Sequence, residues 1–208
     1  MTTIAVIGAG AMGSAVGQRL AEGGARVLTY LDGRSANTLE RARAAGMEAV
    51  GLSEIAKADL ILSIVPPGTA VDVARSLVGV LSAVASKAAY IDFNAINPKT
   101  MAEVAAILEE TGCEVLDGSI IGGPPKAGSP EPTFYVSGDA GARTDMLAEL
   151  QLKVRRIDGG LGAASALKMV YAGISKGMIG LGAAMMLAAA RSGAADSLRT
   201  EMAGSMTD

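Results

Sequence analysis

The chain contains no histidine. General acid–base work must therefore fall to Lys, Tyr, Asp or Glu, and histidine-based metal sites and Ser-His-Asp catalysis are excluded by inventory, so no metal is expected. Among the remaining candidates Lys168 follows the glycine-rich run GGLGAASAL (159–167) at the start of a mainly apolar helical segment. A cation within hydrogen-bond reach of a carbonyl oxygen stabilises the negative charge that builds during hydride transfer and can exchange a proton with it. A lysine snorkelling from a solvated helix end is the alternative reading. Tyr171, three residues on, shares an adjacent helix face and offers either a hydroxyl or a packing contact. Lys176 lies about 12 Å further along the same helix, too far to share one proton. It could meet the far end of a substrate or act as a counter-ion in a domain interface. Asp92 and Asp117 close apolar strands and are expected to satisfy loop amides rather than to act as acids.

A second chemistry is written at the N-terminus. Ile4, Val6 and Ile7 form an apolar run too short for a helix, and it leads into Gly8, Gly10 and Gly13, a G-x-G-x-x-G, followed by the small and apolar positions Ala15, Val16 and Leu20. In that pattern Gly8 makes the tight turn, Gly10 leaves room for a pyrophosphate, and Gly13 lets helix and strand pack closely. The N–H groups of the first helical turn, at Ala11 and Met12, then face the anion. A dinucleotide site is the expectation, against a glycine turn that only packs a sheet. After the second apolar run, an acidic residue would pair with the ribose 2′-OH of NAD, whereas an arginine accommodates the 2′-phosphate of NADP. Asp32 is followed there by Gly33, Arg34 and Ser35; Arg34 offers a planar, multidentate cation and Ser35 a hydroxyl, so NADP is expected over NAD.

These groups need a scaffold, and the hydrophobic pattern supplies one. Apolar strands at 25–31, 47–50, 58–67, 88–93 and 113–116 alternate with helices at 35–46, 69–84 and 98–111, and Ser53 is expected to cap a brief helix. That rhythm predicts an α/β fold of Rossmann type: a doubly wound, mostly parallel sheet with its ligand at the carboxyl ends of the strands. The glycine turn, Val65 and Pro66, and Asn94 all fall at those ends. A Gly- and Pro-rich loop at 117–132 comes next, then a strand at 133–137, a helix at 141–150 and a strand at 154–157. A long helical segment from about 161 to 191 precedes a polar tail. The expected division is a dinucleotide-binding domain at 1–160, then at 161–208 a long interdomain helix and a shortened all-α part.

Composition narrows the function classes. With 3% aromatic residues and a net charge of −3, the chain lacks both the rings that stack on bases and the basic surface that neutralises phosphates, so nucleic acid is not an expected partner. A single cysteine, Cys113, and the lack of a secretory leader point to a reducing, cytoplasmic setting. Between Lys176 and Arg191 lie 14 uncharged residues, short of the roughly 20 that cross a bilayer, so no membrane span is expected. Gly173, Gly177, Gly180 and Gly182 each cost a helix about 1 kcal/mol relative to Ala. Close packing must offset that cost, and the helix is expected to be buried.

Three segments in order resemble one family, the β-hydroxyacid dehydrogenases of the wider 6-phosphogluconate dehydrogenase-like group. Beside the N-terminal glycines, DGSIIGGPPKAG (117–128) resembles the family's substrate loop, and GGLGAASALKMVYAG (159–173) its catalytic segment. Gly159, Gly162 and Lys168 fall on the family's G-x-x-G-x-G-x-x-x-K pattern, with Ala164 in place of its last glycine. The resemblance implies an oxidoreductase acting on small hydroxy or keto acids with a nicotinamide cofactor, Lys168 as proton donor and acceptor, and 119–123 as the substrate clamp. Leu31 stands at the family's usual acidic position, which supports NADP. Asn94 stands where the family often has a hydroxyl residue near the nicotinamide. Two departures matter: Ala172 replaces a substrate-holding asparagine and Ile121 a serine. The N–H groups of Gly122 and Gly123, with Ser119 as a side-chain helper, would then receive a substrate carboxylate. An imine reductase-like enzyme and an NADP-binding module without turnover are the alternatives. Relatives continue into an all-helical domain that closes the cleft and forms the dimer, so a homodimer on the helix bearing Gly177, Leu181 and Met185 is expected.

Overall fold

The computed structural model describes residues 1–126, 128–138 and 141–205. Among these, two compact units are distinguished, Met1–Met169 and Val170–Asp208. The first takes in Lys168.

In the first unit, eight strands form one sheet: β1 (Thr3–Ile7), β2 (Arg26–Thr29), β3 (Glu48–Ala49), β4 (Leu60–Ser63), β5 (Ala89–Asp92), β6 (Val115–Ile121), β7 (Thr133–Ser137) and β8 (Val154–Arg156). Their spatial order is β3-β2-β1-β4-β5-β6-β7-β8, and every neighbouring pair is parallel except β6 with β7. The chain winds outward from β1 to β3, returns to β4 and winds the other way. The carboxyl ends of β1 and β4 thus form a topological switch point, where such sheets bind ligands.

Alternation along the strands builds a core on each face. Ile4 and Val6 of β1 join Val16 and Leu20 of α1 (Ala11–Glu22) and Leu147 of α6 (Gly141–Glu149) on one side. Ala5 and Ile7 join Leu77 and Leu81 of α4 (Ala70–Ala83) and Val104 and Leu108 of α5 (Pro98–Glu109) on the other. All are buried. The remaining helices of this unit before residue 160 are α2 (Ala36–Ala44) and the short α3 (Leu52–Ile55), and a 3-10 turn at Pro67–Thr69 leads into α4. Asn97 caps α5, its side chain accepting from Thr100 N at 3.0 Å, with Pro98 at the first helical position.

Several expectations are corrected. Ser53 lies inside α3, whose N-cap is Gly51. The loop expected from 117 is strand as far as Ile121, because β6 continues as a hairpin partner of β7 after β5 has ended at Asp92. Ala127, within the substrate-loop resemblance, lies outside the described residues. The polar tail forms α8 (Ala195–Ser205), with Arg199 paired to Asp196 at 2.6 Å; residues 206–208 lie outside the described part.

Helix α7 (Ala163–Arg191) starts in the first unit and continues in the second. Within the second unit it was expected to be buried, yet its apolar side chains are exposed, Met178 at 70% and Ile179 at 73%. Counting uncharged residues alone made this helix too short to cross a membrane. At 29 residues, with a window of mean hydropathy 1.4, it passes by length and composition, which is weak evidence because soluble core helices pass the same test.

Candidate active site

At the switch point each glycine has a distinct surrounding. Gly8, at φ +109°, sits where a Cβ would fall 2.2 Å from Ile64 O, so the turn against β4 admits glycine alone. A Cβ on Gly13 would fall 1.8 Å from Gly8 O, whereas one on Gly10 would meet nothing within 4 Å. The two ends of the motif are thus fixed by backbone packing and its middle faces open space. Gly10 is the N-cap of α1 and no side chain caps it. The first-turn N–H groups, including those of Ala11 and Met12, have no carbonyl partner within the helix. Anion binding is what such an end is suited to.

One cleft opens onto this turn and a second shares Arg34 with it. One, of about 190 Å³, is lined by Gly8, Ala9, Gly10, Arg34, Thr38, Ile64, Val65 and Pro66. The other, of about 230 Å³, is lined by Ile7, Tyr30, Arg34, Leu52, Thr69, Asp72, Val73 and Ser76. Arg34 belongs to both. Ser35 caps the start of α2 by position and its Oγ lies 3.0 Å from Thr38 Oγ1. A residue that the spacing did not single out also joins the turn: Arg41 of α2 donates to Ala9 O at 3.1 Å. Arg41 lies within α2, whereas Arg34 precedes its N-cap Ser35, so no helical spacing in the sequence linked the two. A larger cleft, about 360 Å³, lies between Gln18, Arg19 and Glu22 of α1 and Pro125 and Lys126. Size does not select it, since neither the glycine turn nor Arg34 lines it.

Beyond β4 the polar groups are committed inward. Asn94 is 2% exposed; its Oδ1 accepts from Val65 N at 2.6 Å, and its Nδ2 donates to Ser63 Oγ and to Asp92 Oδ2. Its side chain therefore shapes the wall at Val65 and Pro66 from behind. Asp92 accepts from Asn94 N at 2.8 Å and from the Tyr90 hydroxyl at 3.3 Å. Burial raises Asp92 to about 6, against the hydrogen bonds of Asn94 and Tyr90, with Asp117 on the next strand adding to the rise. Burial likewise pushes Tyr90 well above the ordinary tyrosine range.

On the far side of β5, strand β6 brings the substrate-loop segment and the lysine together. Lys168 Nζ donates to Ile120 O at 2.6 Å. Residues 118–121 extend past the end of β5 and pair only with β7, which leaves that stretch of β6 without a strand on its other edge. Gly122, at φ +126°, turns the chain out of the strand against Pro132, and Gly123 beside it is exposed with nothing within 4 Å of a Cβ. Ser119 is fully buried in β6 and its Oγ has no hydrogen-bond partner. Tyr171 and Lys176 belong to the second unit, both exposed on its helix. Among the described residues no cluster of His, Cys, Asp or Glu is arranged to hold a metal ion.

The uncapped helix end, the open middle glycine and the arginine shared by two clefts fit a dinucleotide. Comparison with known proteins agrees. Residues 3–157 match the family described as the NAD binding domain of 6-phosphogluconate dehydrogenase. Similar solved structures include a conserved protein of unknown function described as structurally similar to 3-hydroxyacid dehydrogenases (25% identity, TM-score 0.83, covering 99% of this chain and 77% of that one). A Mycobacterium tuberculosis 3-hydroxyisobutyrate dehydrogenase solved with L-serine is 26% identical, with TM-score 0.81 over 100% of this chain and 72% of that one. An imine reductase from Myxococcus stipitatus in complex with NADP+, 22% identical with TM-score 0.77 over 99% of this chain and 71% of that one, shares the fold. No curated protein matches the sequence. The chain belongs to the 6-phosphogluconate dehydrogenase NAD-binding family and is related to the 3-hydroxyacid dehydrogenases, oxidoreductases that act on CH–OH groups.

Proposed function

We propose that this chain is an NADP-dependent oxidoreductase that interconverts a small hydroxy acid and its keto acid, with Lys168 exchanging the proton. The observation that carries the reading is the 2.6 Å contact from Lys168 Nζ to Ile120 O, two residues before the Gly122–Gly123 turn that would hold a carboxylate. A bound nicotinamide supplies or accepts the hydride at carbon. The protein's own groups deal with oxygen. The Lys168 ammonium stabilises the negative charge developing there and gives it a proton in reduction; in oxidation the amine takes that proton back. Backbone N–H groups of the exposed Gly122 and Gly123 orient the carboxylate, in place of the hydroxyl that Ile121 lacks.

NADP rather than NAD is part of the reading, on the strength of Arg34 and Ser35. So is a cytoplasmic setting, consistent with Cys113 as a buried free thiol. The test is NADPH oxidation followed by absorbance across a panel of small keto acids, semialdehyde acids and cyclic imines. Turnover of a keto acid is the expected result. Turnover of imines alone would reassign the reaction to C=N, and tight NADPH binding without oxidation of any substrate would leave a binding module. Arg34→Ala should weaken NADP binding by about 1.5–3 kcal/mol while leaving NAD unchanged, read by titration of both.

A further inference from the structure

We infer that Asp117 is the positioning residue for Lys168: its buried carboxylate holds the first turn of α7 against β6, so that the lysine is delivered to the strand edge. The inference rests on the proposed role of Lys168 and adds a group that touches neither cofactor nor substrate. Asp117 Oδ2 accepts from Ser165 N at 3.0 Å and its Oδ1 from Ser165 Oγ at 2.6 Å. Ser137 Oγ donates to the same carboxylate at 3.1 Å and accepts from Ala164 N, also at 3.1 Å. Two first-turn N–H groups of α7 are therefore satisfied by residues of β6 and β7 rather than by a cap in the helix's own sequence. Asp117, Ser137, Ala164 and Ser165 are all buried, at 1% exposure or less. A carboxylate at a helix N-terminus is also favoured by the helix dipole.

Geometry links this clamp to the lysine. Ser165 and Lys168 are three residues apart, neighbours on one helix face, and both reach β6: Ser165 at Asp117, Lys168 at Ile120. One strand segment thus holds one helical turn at two points. The second point is available because β5 ends at Asp92, the register partner of Asp117, leaving 118–121 without a strand on that side. Gly118 allows the Phe93 ring to fill the space behind, since a Cβ there would fall 2.5 Å from it.

The experiment compares Ser165→Ala, Asp117→Asn and their double variant with wild type, and uses Val104→Ala, a core change in α5, as a control for lost stability. Two readouts are taken. The first is kcat and KM for the best keto acid with NADPH. The second is the labelling rate of Lys168 by trinitrobenzenesulfonate, measured by peptide mass spectrometry relative to exposed Lys99. If Asp117 positions the lysine, Asp117→Asn lowers kcat by about tenfold to a hundredfold with NADPH binding within about twofold of wild type. Lys168 labelling rises several-fold as the turn loosens, Ser165→Ala does both to a smaller extent, and the double variant is no worse than Asp117→Asn alone. Val104→Ala lowers the melting temperature and leaves both readouts in place. Matching behaviour of Asp117→Asn and Val104→Ala, or additive losses in the double variant, would overturn the inference. Should Asp117→Asn fail to fold, Ser165→Ala decides by the same criteria. Failure of the wild type to turn over any substrate would remove the proposed activity, and the labelling arm would still decide the positioning role.

Discussion

Lys168 is the residue on which the reading of this protein turns, and its replacement separates chemistry from binding. Lys168→Met deletes charge and keeps length, so kcat should fall by about 10²-fold or more while NADPH affinity stays within a few fold, because the proposed role of the lysine is at the reacting oxygen and not at the pyrophosphate. Single-turnover kinetics with a cofactor titration checks both halves. An unchanged kcat would reduce Lys168 to a structural tie to Ile120. Its position near the start of a helix was legible from the glycine-rich run before it. The inward role of Asn94 was not, since it depends on Ser63, Val65 and Asp92 arriving from two strands, a meeting that no local pattern records. Asp92 makes its own prediction. Held at about 6 when folded, chiefly by burial, against an ordinary value of 3.8, it binds protons more tightly in the native state than in the unfolded one. Its contribution to stability is therefore full below about pH 4 and is lost as pH rises through about 6, on the order of 3 kcal/mol in all. Denaturant melts of wild type and Asp92→Asn from pH 4 to 7 should show the gap between them shifting against wild type across that window; a parallel pair of curves would exclude it.

At the scale of elements, the β1 turn and α1 were the most legible part of the chain, because three glycines at fixed spacing between a strand and a helix leave few other structures open. What spacing left unmarked was the difference between those glycines, which the packing now gives. Gly10→Ala meets no atom within 4 Å and keeps an extended backbone at φ −72°, ψ −170°, so it should fold with wild-type stability and lose dinucleotide affinity. Gly13→Ala must push the helix off Gly8 O, and should lose affinity together with about 1–3 kcal/mol of stability. Thermal melts beside NADPH titrations test the pair, and equal destabilisation by both would contradict the assignment of open space to Gly10. The length of β6 was missed for a related reason. DGSIIGG reads as a loop from its glycines, yet Gly118 is there to let Phe93 approach, and the strand follows its partner β7 through Ile121.

For the molecule as a whole, what covers the second unit decides the assembly. The glycines of α7 signalled close packing in the sequence, and the expectation of burial was physically sound for a helix that has a neighbour; within one chain its apolar side chains are exposed. Val170, Ile174, Met178, Leu181 and Met185 recur at steps of four, four, three and four residues, and each is at least half exposed. That is the stripe of a helix made to pack against another. Gly173, Gly177 and Gly180 run alongside it and would let a second backbone approach closely. We propose a second copy of this chain as the occupant: by two-fold symmetry it would supply a matching surface, in which Gly177, Leu181 and Met185 would meet their counterparts or near neighbours. Contiguous exposed apolar patches on soluble proteins mark interaction sites. The protein is therefore expected to sediment as a homodimer at micromolar concentration. Leu181→Glu would place a carboxylate in the centre of that seam, where burying an unpaired charge costs several kcal/mol, enough to dissociate the pair or drive it to precipitate. Light scattering on both proteins checks the outcome. A wild type that remains a soluble, non-aggregating monomer would remove the second copy as the partner of α7, and a Leu181→Glu variant that stays dimeric would move the interface elsewhere.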